Sequence, residues 1–130
     1  MPTLIALRPE ISLNDAWLDE LRLLEGLLIR ISDKNNVRLQ LRLPRFLACR
    51  SADESFVLDR QPAINARTDF HWFYEARDSE FLVRFREHNP YMNPHWNPKH
   101  YLIVTVSTIT DIIAVIEPDI SIVSGLSLVR

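Results

Sequence analysis

Apolar and polar residues alternate most regularly over residues 37–43, Val-Arg-Leu-Gln-Leu-Arg-Leu. A period of two places the four apolar side chains on one face of a strand and the two arginines and the glutamine on the other. The pattern therefore predicts a strand that is interrupted at Pro44 and resumes over 45–50. Other apolar or β-branched runs predict further strands, over residues 3–8, 55–59, 101–107 and 120–129.

A long amphipathic helix is predicted over residues 12–31. Apolar residues recur there at steps of three and four, as on one face of an α-helix, at Leu13, Trp17, Leu21, Leu24, Leu28 and Ile31. Ser12 and Asp15 resemble a capping pair at its start. Because the apolar face is wide, we expect this helix either to be deeply buried or also to contact another subunit.

Three segments after residue 68 carry less uniform patterns. Residues 69–76 fit strand and helix spacing equally well, whereas residues 78–88 predict a helix capped at Asp78 or Ser79. Over 109–117 the isoleucines follow helical spacing, which slightly favours a helix and a βαβ unit. Since isoleucine and valine are mediocre helix formers, a strand in an antiparallel meander is the alternative.

Together these elements predict an α+β fold. It consists of one long N-terminal amphipathic helix and one or two shorter helices, packed on a largely antiparallel sheet. The chain of 130 residues contains no linker-like segment and no internal repeat beyond a short run of Asn-Pro pairs. We therefore expect a single domain over residues 1–130.

Composition excludes several function classes. The net charge of −2 disfavours nucleic acid and anionic membranes as partners, and we expect neither a membrane span nor a signal peptide. The single cysteine, Cys49, rules out an intrachain disulfide and favours a reducing, cytoplasmic location. Two glycines are too few for a phosphate-binding loop or a nucleophile elbow. We expect no cofactor.

Three Asn-Pro pairs follow one another at a spacing of four, at Asn89-Pro90, Asn93-Pro94 and Asn97-Pro98. Proline fixes φ at a turn value and disfavours a helical residue before it, and asparagine side chains support turns. The pattern predicts linked turns over residues 89–100, which we call the Asn-Pro segment. Its side chains include four candidates for partner binding, since aromatic residues are frequent at interfaces: Tyr91, Met92, His95 and Trp96. The alternative is that these side chains fold back onto the sheet.

Four histidines lie within thirty residues, and three of them flank or belong to the Asn-Pro segment: His88, His95 and His100. Zinc in a hydrolase needs three or four converging nitrogen, oxygen or sulfur ligands. These three are candidate metal ligands, although their spacing matches no known zinc motif.

An arginine-rich region provides a third candidate site, at Arg38, Arg42, Arg45 and Arg50. The planar guanidinium groups suit bidentate contacts with phosphates, so the region could bind anions or nucleic acid. A solvated strand face is the alternative, and the overall acidity favours it.

These observations lead to three function hypotheses. The leading one is a non-enzymatic interaction or assembly protein, such as an adaptor, an inhibitor or a subunit of a larger particle. It would bind a protein partner, or copies of itself as a homo-oligomer, through the Asn-Pro segment. The alternatives are a metal-dependent hydrolase that uses the histidines and a nucleic-acid-binding module that uses the arginines.

Overall fold

Nine β-strands and one short helix form the described part of this computed structural model, residues 3–23, 25–53, 71–106 and 108–124. In chain order the elements are β1 (Thr3–Ala6), β2 (Trp17–Leu23), β3 (Leu27–Ser32), β4 (Arg38–Leu43), β5 (Ala48–Asp53), β6 (Phe73–Arg77), α1 (Glu80–His88), β7 (Lys99–Val104), β8 (Thr108–Ala114) and β9 (Asp119–Ser124). The strands predicted over 3–8, 37–43, 101–107 and 120–129 are confirmed within these bounds. The strand candidate at 55–59 lies outside the described residues.

The strands form two antiparallel sheets. One has the order β1-β6-β7-β8-β5 and the other the order β2-β3-β4-β9. The chain passes between the sheets after β1, after β4 and after β8. Two sheets connected in this way can bury one face each against the other.

The main core lies between the two sheets. The four-stranded sheet contributes the inward residues of β3 and β4, and the five-stranded sheet contributes aromatic and aliphatic residues of β6, β7 and β8. The buried members from these strands are Leu27, Ile29, Ile31, Leu39, Leu41, Leu43, Phe73, Tyr101, Ile103, Ile112 and Ala114. The predicted inward face of strand 37–43 is thus confirmed.

The prediction of an α+β fold with a long helix over residues 12–31 is wrong. The segment forms a hairpin of β2 and β3, paired from Trp17 opposite Ser32 to Leu23 opposite Leu27. Glu25 and Gly26 have positive φ angles of 52° and 117°, which a helix cannot accommodate.

The helical spacing in this segment has a local cause. A bulge between Leu18 and Glu20 shifts the alternation of β2. Leu18 and Leu21, three residues apart, therefore both pack against the core. A spacing of three resembles one face of a helix, although it arises here from a bulged strand.

The slight preference for a helix over 109–117 is also wrong. β8 pairs with β7 on one side and with β5 on the other. Its β-branched residues are buried on both faces of the sheet, so packing outweighs the helical spacing of the isoleucines. The alternative of an antiparallel meander over residues 101–129 is correct for β7 and β8, which pair with each other, but β9 pairs with β4 in the other sheet.

The helix predicted over 78–88 is confirmed as α1. Ser79 is its N-cap, and the Ser79 hydroxyl accepts a hydrogen bond from the backbone N–H of Leu82 at 3.2 Å. The helix ends at Asn89, where the first Asn-Pro pair begins. It therefore leads directly into the candidate site.

Candidate functional site

The first two Asn-Pro pairs form the turns that the sequence predicts, whereas the third pair, Asn97-Pro98, leads directly into β7; the prediction of linked turns over residues 89–100 is therefore confirmed only in part. The backbone N–H of Met92 bonds to the carbonyl of Asn89 at 3.1 Å, and that of Trp96 bonds to the carbonyl of Asn93 at 3.0 Å. Each is a four-residue turn with proline in its second position. The Asn93 side chain also accepts a bond from the N–H of His95 at 2.9 Å, which further stabilises the second turn.

Trp96 lines two neighbouring apolar hollows. The first, of about 490 Å³, is lined by Gly26, Pro44, Arg45, Phe46, Leu47, Trp96, Val115 and Ile116. The second, of about 480 Å³, is lined by Leu47, Phe85, His88, Asn89, Pro90, Tyr91, Met92 and Trp96. Because the hollows share Leu47 and Trp96, they form one surface feature, which we call the Trp96 groove.

Four separate parts of the chain build this groove. They are the β2–β3 turn at Gly26, the β4–β5 connection at residues 44–47, the end of α1 with the Asn-Pro segment, and the β8–β9 turn. Gly26 is required at the first of these: a Cβ atom there would lie 2.6 Å from the carbonyl oxygen of Leu43. The tight contact holds the turn against Pro44 and sets the edge of the groove.

Apolar side chains project into solvent around the groove. Tyr91 is 98% exposed, Ile116 67% and Trp96 42%. Contiguous exposed apolar patches of a few hundred Å² are often binding sites in soluble proteins. The groove therefore combines preformed hollows with exposed aromatic and aliphatic groups, a composition suited to binding apolar side chains.

The structure brings together three of the four residues proposed for partner binding. Tyr91, Met92 and Trp96 line the groove, whereas His95 is exposed and lies outside its lining. The sequence did not indicate the opposite wall at Leu47 and Ile116. Those residues are distant in sequence, and no local pattern distinguishes them from core positions.

The three candidate metal ligands do not converge. His100 is fully buried in β7, whereas His88 and His95 are exposed at the end of α1 and in the second turn. In the portions of the chain that the structure describes, no three histidine, cysteine, aspartate or glutamate side chains are grouped as metal ligands.

His100 instead belongs to a buried polar set that the sequence analysis missed. Its Nε2 lies 2.6 Å from Oδ1 of Asp111, and its Nδ1 lies 2.7 Å from the hydroxyl of Ser79. Arg50 Nε donates to Oδ2 of Asp111 at 2.9 Å, and the Arg50 guanidinium lies over the Phe81 ring at 4.1 Å. A signal was present, since an aspartate within the isoleucine run of residues 109–116 needs buried polar partners.

This Ser–His–Asp set is not arranged for catalysis. Ser79, His100 and Asp111 are all fully buried, and both imidazole nitrogens are engaged within the protein. A substrate could reach neither the hydroxyl nor the ring without disrupting α1, whose N-cap is Ser79. Its position between α1 and the sheet assigns it a structural role.

The four candidate arginines occupy different surfaces. Arg38 and Arg42 lie on the outer face of β4, Arg45 lines the Trp96 groove, and Arg50 lies on the far face of the five-stranded sheet beside Asp111. They form no common patch. Arg42 and Arg45 lie on either side of Pro44 in the chain, and Pro44 lines both the Trp96 groove and a neighbouring hollow that Arg42 lines.

The half-buried thiol of Cys49 and the buried phenol of Tyr101 have shifted pKa values. Burial, with a smaller effect of the Asp111 carboxylate, raises the pKa of the Cys49 thiol to about 11. Burial, together with the carboxylates of Glu117 and Glu75, raises the pKa of Tyr101 to about 12. A reactive cysteine needs a lowered pKa, so Cys49 has the properties of a structural thiol.

Comparisons of this chain with protein-family models, curated proteins and solved structures find no match. Within the ranges described, no helix has the length and apolar composition needed to cross a bilayer.

Proposed function

We propose that this chain is a non-enzymatic interaction protein that binds another polypeptide through the Trp96 groove. One observation carries the proposal: a partly exposed tryptophan, Trp96, lines both of two neighbouring apolar hollows on the surface. Exposed Tyr91 and Ile116 flank the same feature. Tryptophan and tyrosine in such settings contribute most of the binding free energy at many protein interfaces.

The alternatives receive less support from the same geometry. A histidine-based metallohydrolase would need His88, His95 and His100 to converge, and they lie apart. A nucleic-acid module using Arg38, Arg42, Arg45 and Arg50 would need one positive surface, and these residues are divided among three. A reducing, cytoplasmic setting is part of the proposal, because Cys49 is a free thiol.

The test is selection of peptides from a displayed random library on the purified protein. We expect a family of peptides that bind the wild-type chain and are lost with Trp96→Ala. Trp17→Ala is the matched control, because Trp17 is 40% exposed, close to the 42% of Trp96, and lies in β2 outside the lining of the groove. The proposal would be overturned if the selected peptides bound the wild-type chain, Trp96→Ala and Trp17→Ala equally well. It would also be overturned if the selection gave no binding peptides.

Self-association is measured on the same samples by light scattering after gel filtration. If a copy of the chain fills the groove, the mass will rise with concentration and Trp96→Ala will abolish the rise. If the chain is a monomer at all concentrations, the groove does not bind a second copy, and its partner is a different polypeptide. The two tryptophan variants must have equal melting temperatures, because a loss of binding could otherwise result from a loss of folding.

A further inference from the structure

The charged residues that line the Trp96 groove and the hollow beside it are mostly basic, although the net charge of the whole chain is negative. A third hollow, of about 220 Å³, adjoins the groove at Pro44 and is lined by Arg22, Glu25 and Arg42 among other residues. With Arg45, the charged side chains along this path are three arginines and one glutamate. The lining is thus positive, whereas the whole chain has a net charge of −2.

Two of these arginines have no partner among the described residues. Arg42 lies opposite Asp119 in the strand register, yet no ion pair forms between them. Arg45 likewise forms no ion pair within the described chain. Arg22, in contrast, lies 3.9 Å from Glu20. Unpaired guanidinium groups at the rim of an apolar groove are available to carboxylates of a bound molecule.

We propose that the occupant of the groove is an extended segment of another protein in which acidic residues flank apolar ones. The apolar side chains fill the two hollows that Trp96 lines, and the acidic residues contact Arg42 and Arg45. This inference rests on the proposed function and specifies its partner. It favours a polypeptide over nucleic acid, because apolar side chains of a peptide can fill the two apolar hollows, whereas a phosphate backbone cannot.

The test compares two synthetic peptides by fluorescence anisotropy. Both carry the same leucines, and acidic residues in the first are replaced by lysines in the second. We expect the acidic peptide to bind the wild-type chain about fivefold more tightly at low ionic strength, with a smaller difference in high salt. Arg45→Glu should reverse the preference.

A matched control is available on the same strand. Arg38 is exposed on the outer face of β4 like Arg42, and it does not line the groove. Arg38→Glu changes the net charge as much as Arg45→Glu does, and it should leave the preference for the acidic peptide unchanged. An equal effect of the two substitutions would mean that only overall charge matters, which overturns the inference.

The remaining outcomes separate this inference from the proposed function. If the lysine peptide binds as well as the acidic one and both depend on Trp96, the groove binds polypeptides but not acidic ones. If neither peptide binds, the inference of an acidic partner is wrong. The proposed binding of a polypeptide is then tested by the library selection alone. Displacement of the acidic peptide by a single-stranded oligonucleotide at equal concentration would replace the inference with nucleic-acid binding.

Discussion

Replacing Ser79 by alanine tests whether the buried Ser79–His100–Asp111 set stabilises the fold. The substitution removes the N-cap acceptor of α1, which typically costs about 1 kcal/mol. It also leaves the buried Nδ1 of His100 without a partner, which costs about 1–3 kcal/mol more. We therefore expect Ser79→Ala to lower the free energy of unfolding by about 3 kcal/mol, measured by urea denaturation.

The hydrogen-bond arrangement explains why the cost should be this large. A neutral imidazole has one donor and one acceptor nitrogen, and the arrangement in which Nε2 of His100 donates to the Asp111 carboxylate leaves Nδ1 as the acceptor. The Ser79 hydroxyl then donates to Nδ1 and accepts from the N–H of Leu82. Every group in this chain of bonds is satisfied only while the serine oxygen is present.

A double-mutant cycle isolates the bond between Ser79 and His100. His100→Gln keeps an amide donor toward Asp111 but removes the acceptor that faces Ser79. We expect a coupling energy of about 1 kcal/mol or more between Ser79→Ala and His100→Gln. Ser121→Ala, at an exposed position of β9, should change stability by less than about 0.5 kcal/mol.

Two results would refute this interpretation. Loss of less than about 1 kcal/mol in Ser79→Ala would show that the hydroxyl is not an important structural partner. Hydrolysis of p-nitrophenyl acetate by the wild-type chain, abolished in an equally stable Ser79→Ala variant, would show instead that substrates reach the set. The second result would also remove the main argument against an enzyme.

Two further predictions concern other parts of the molecule. Gly26→Ala should lower the free energy of unfolding by about 3 kcal/mol in thermal or urea denaturation, because φ is +117° and the new Cβ would meet the Leu43 carbonyl; unchanged stability would show that the turn is not constrained. Cys49 should react with iodoacetamide at pH 8 about 100-fold more slowly than in the denatured chain, since its pKa rises from 9.0 to about 11. The folded state holds this proton more strongly, so the thiol's contribution to stability is complete below pH 9 and is lost as pH rises towards 11; fast alkylation of the folded protein would contradict the assignment.

Local patterns predicted those elements whose structure depends on neighbouring residues. The alternation of residues 37–43 predicted β4 and its inward face, and the β-branched run at 101–107 predicted β7. Helix α1 was predicted because a cap and a helical run coincide at residues 79–88. The two turns at residues 89–92 and 93–96 followed from proline and asparagine chemistry within four residues, whereas the third Asn-Pro pair leads into β7 and forms no such turn.

The prediction of helix 12–31 failed because leucine is compatible with both structures. Leucine is a good helix former, so propensity supported the helical spacing. In the hairpin the residues of the supposed helical face point in two directions: Leu21 and Ile31 pack in the core, while Leu28 lies on the outer face between Arg22 and Arg42. The width of the apolar face was the signal that one helix could not bury all of it.

The groove residues that the sequence predicted depend on local structure, whereas those that it missed depend on the arrangement of the two sheets. The sequence indicated three lining residues of the groove, Tyr91, Met92 and Trp96. A segment of consecutive turns has no regular inward face that could bury large side chains, so these side chains stay near the surface. Leu47 and Ile116 belong to connections between the two sheets, and only the sheet topology brings them beside Trp96. When a groove is formed by several connections, the sequence can indicate only the connection whose structure depends on neighbouring residues. Here that connection is the Asn-Pro segment. It follows that changes at Leu47 should alter binding as much as changes at Trp96, although nothing in the sequence distinguishes Leu47.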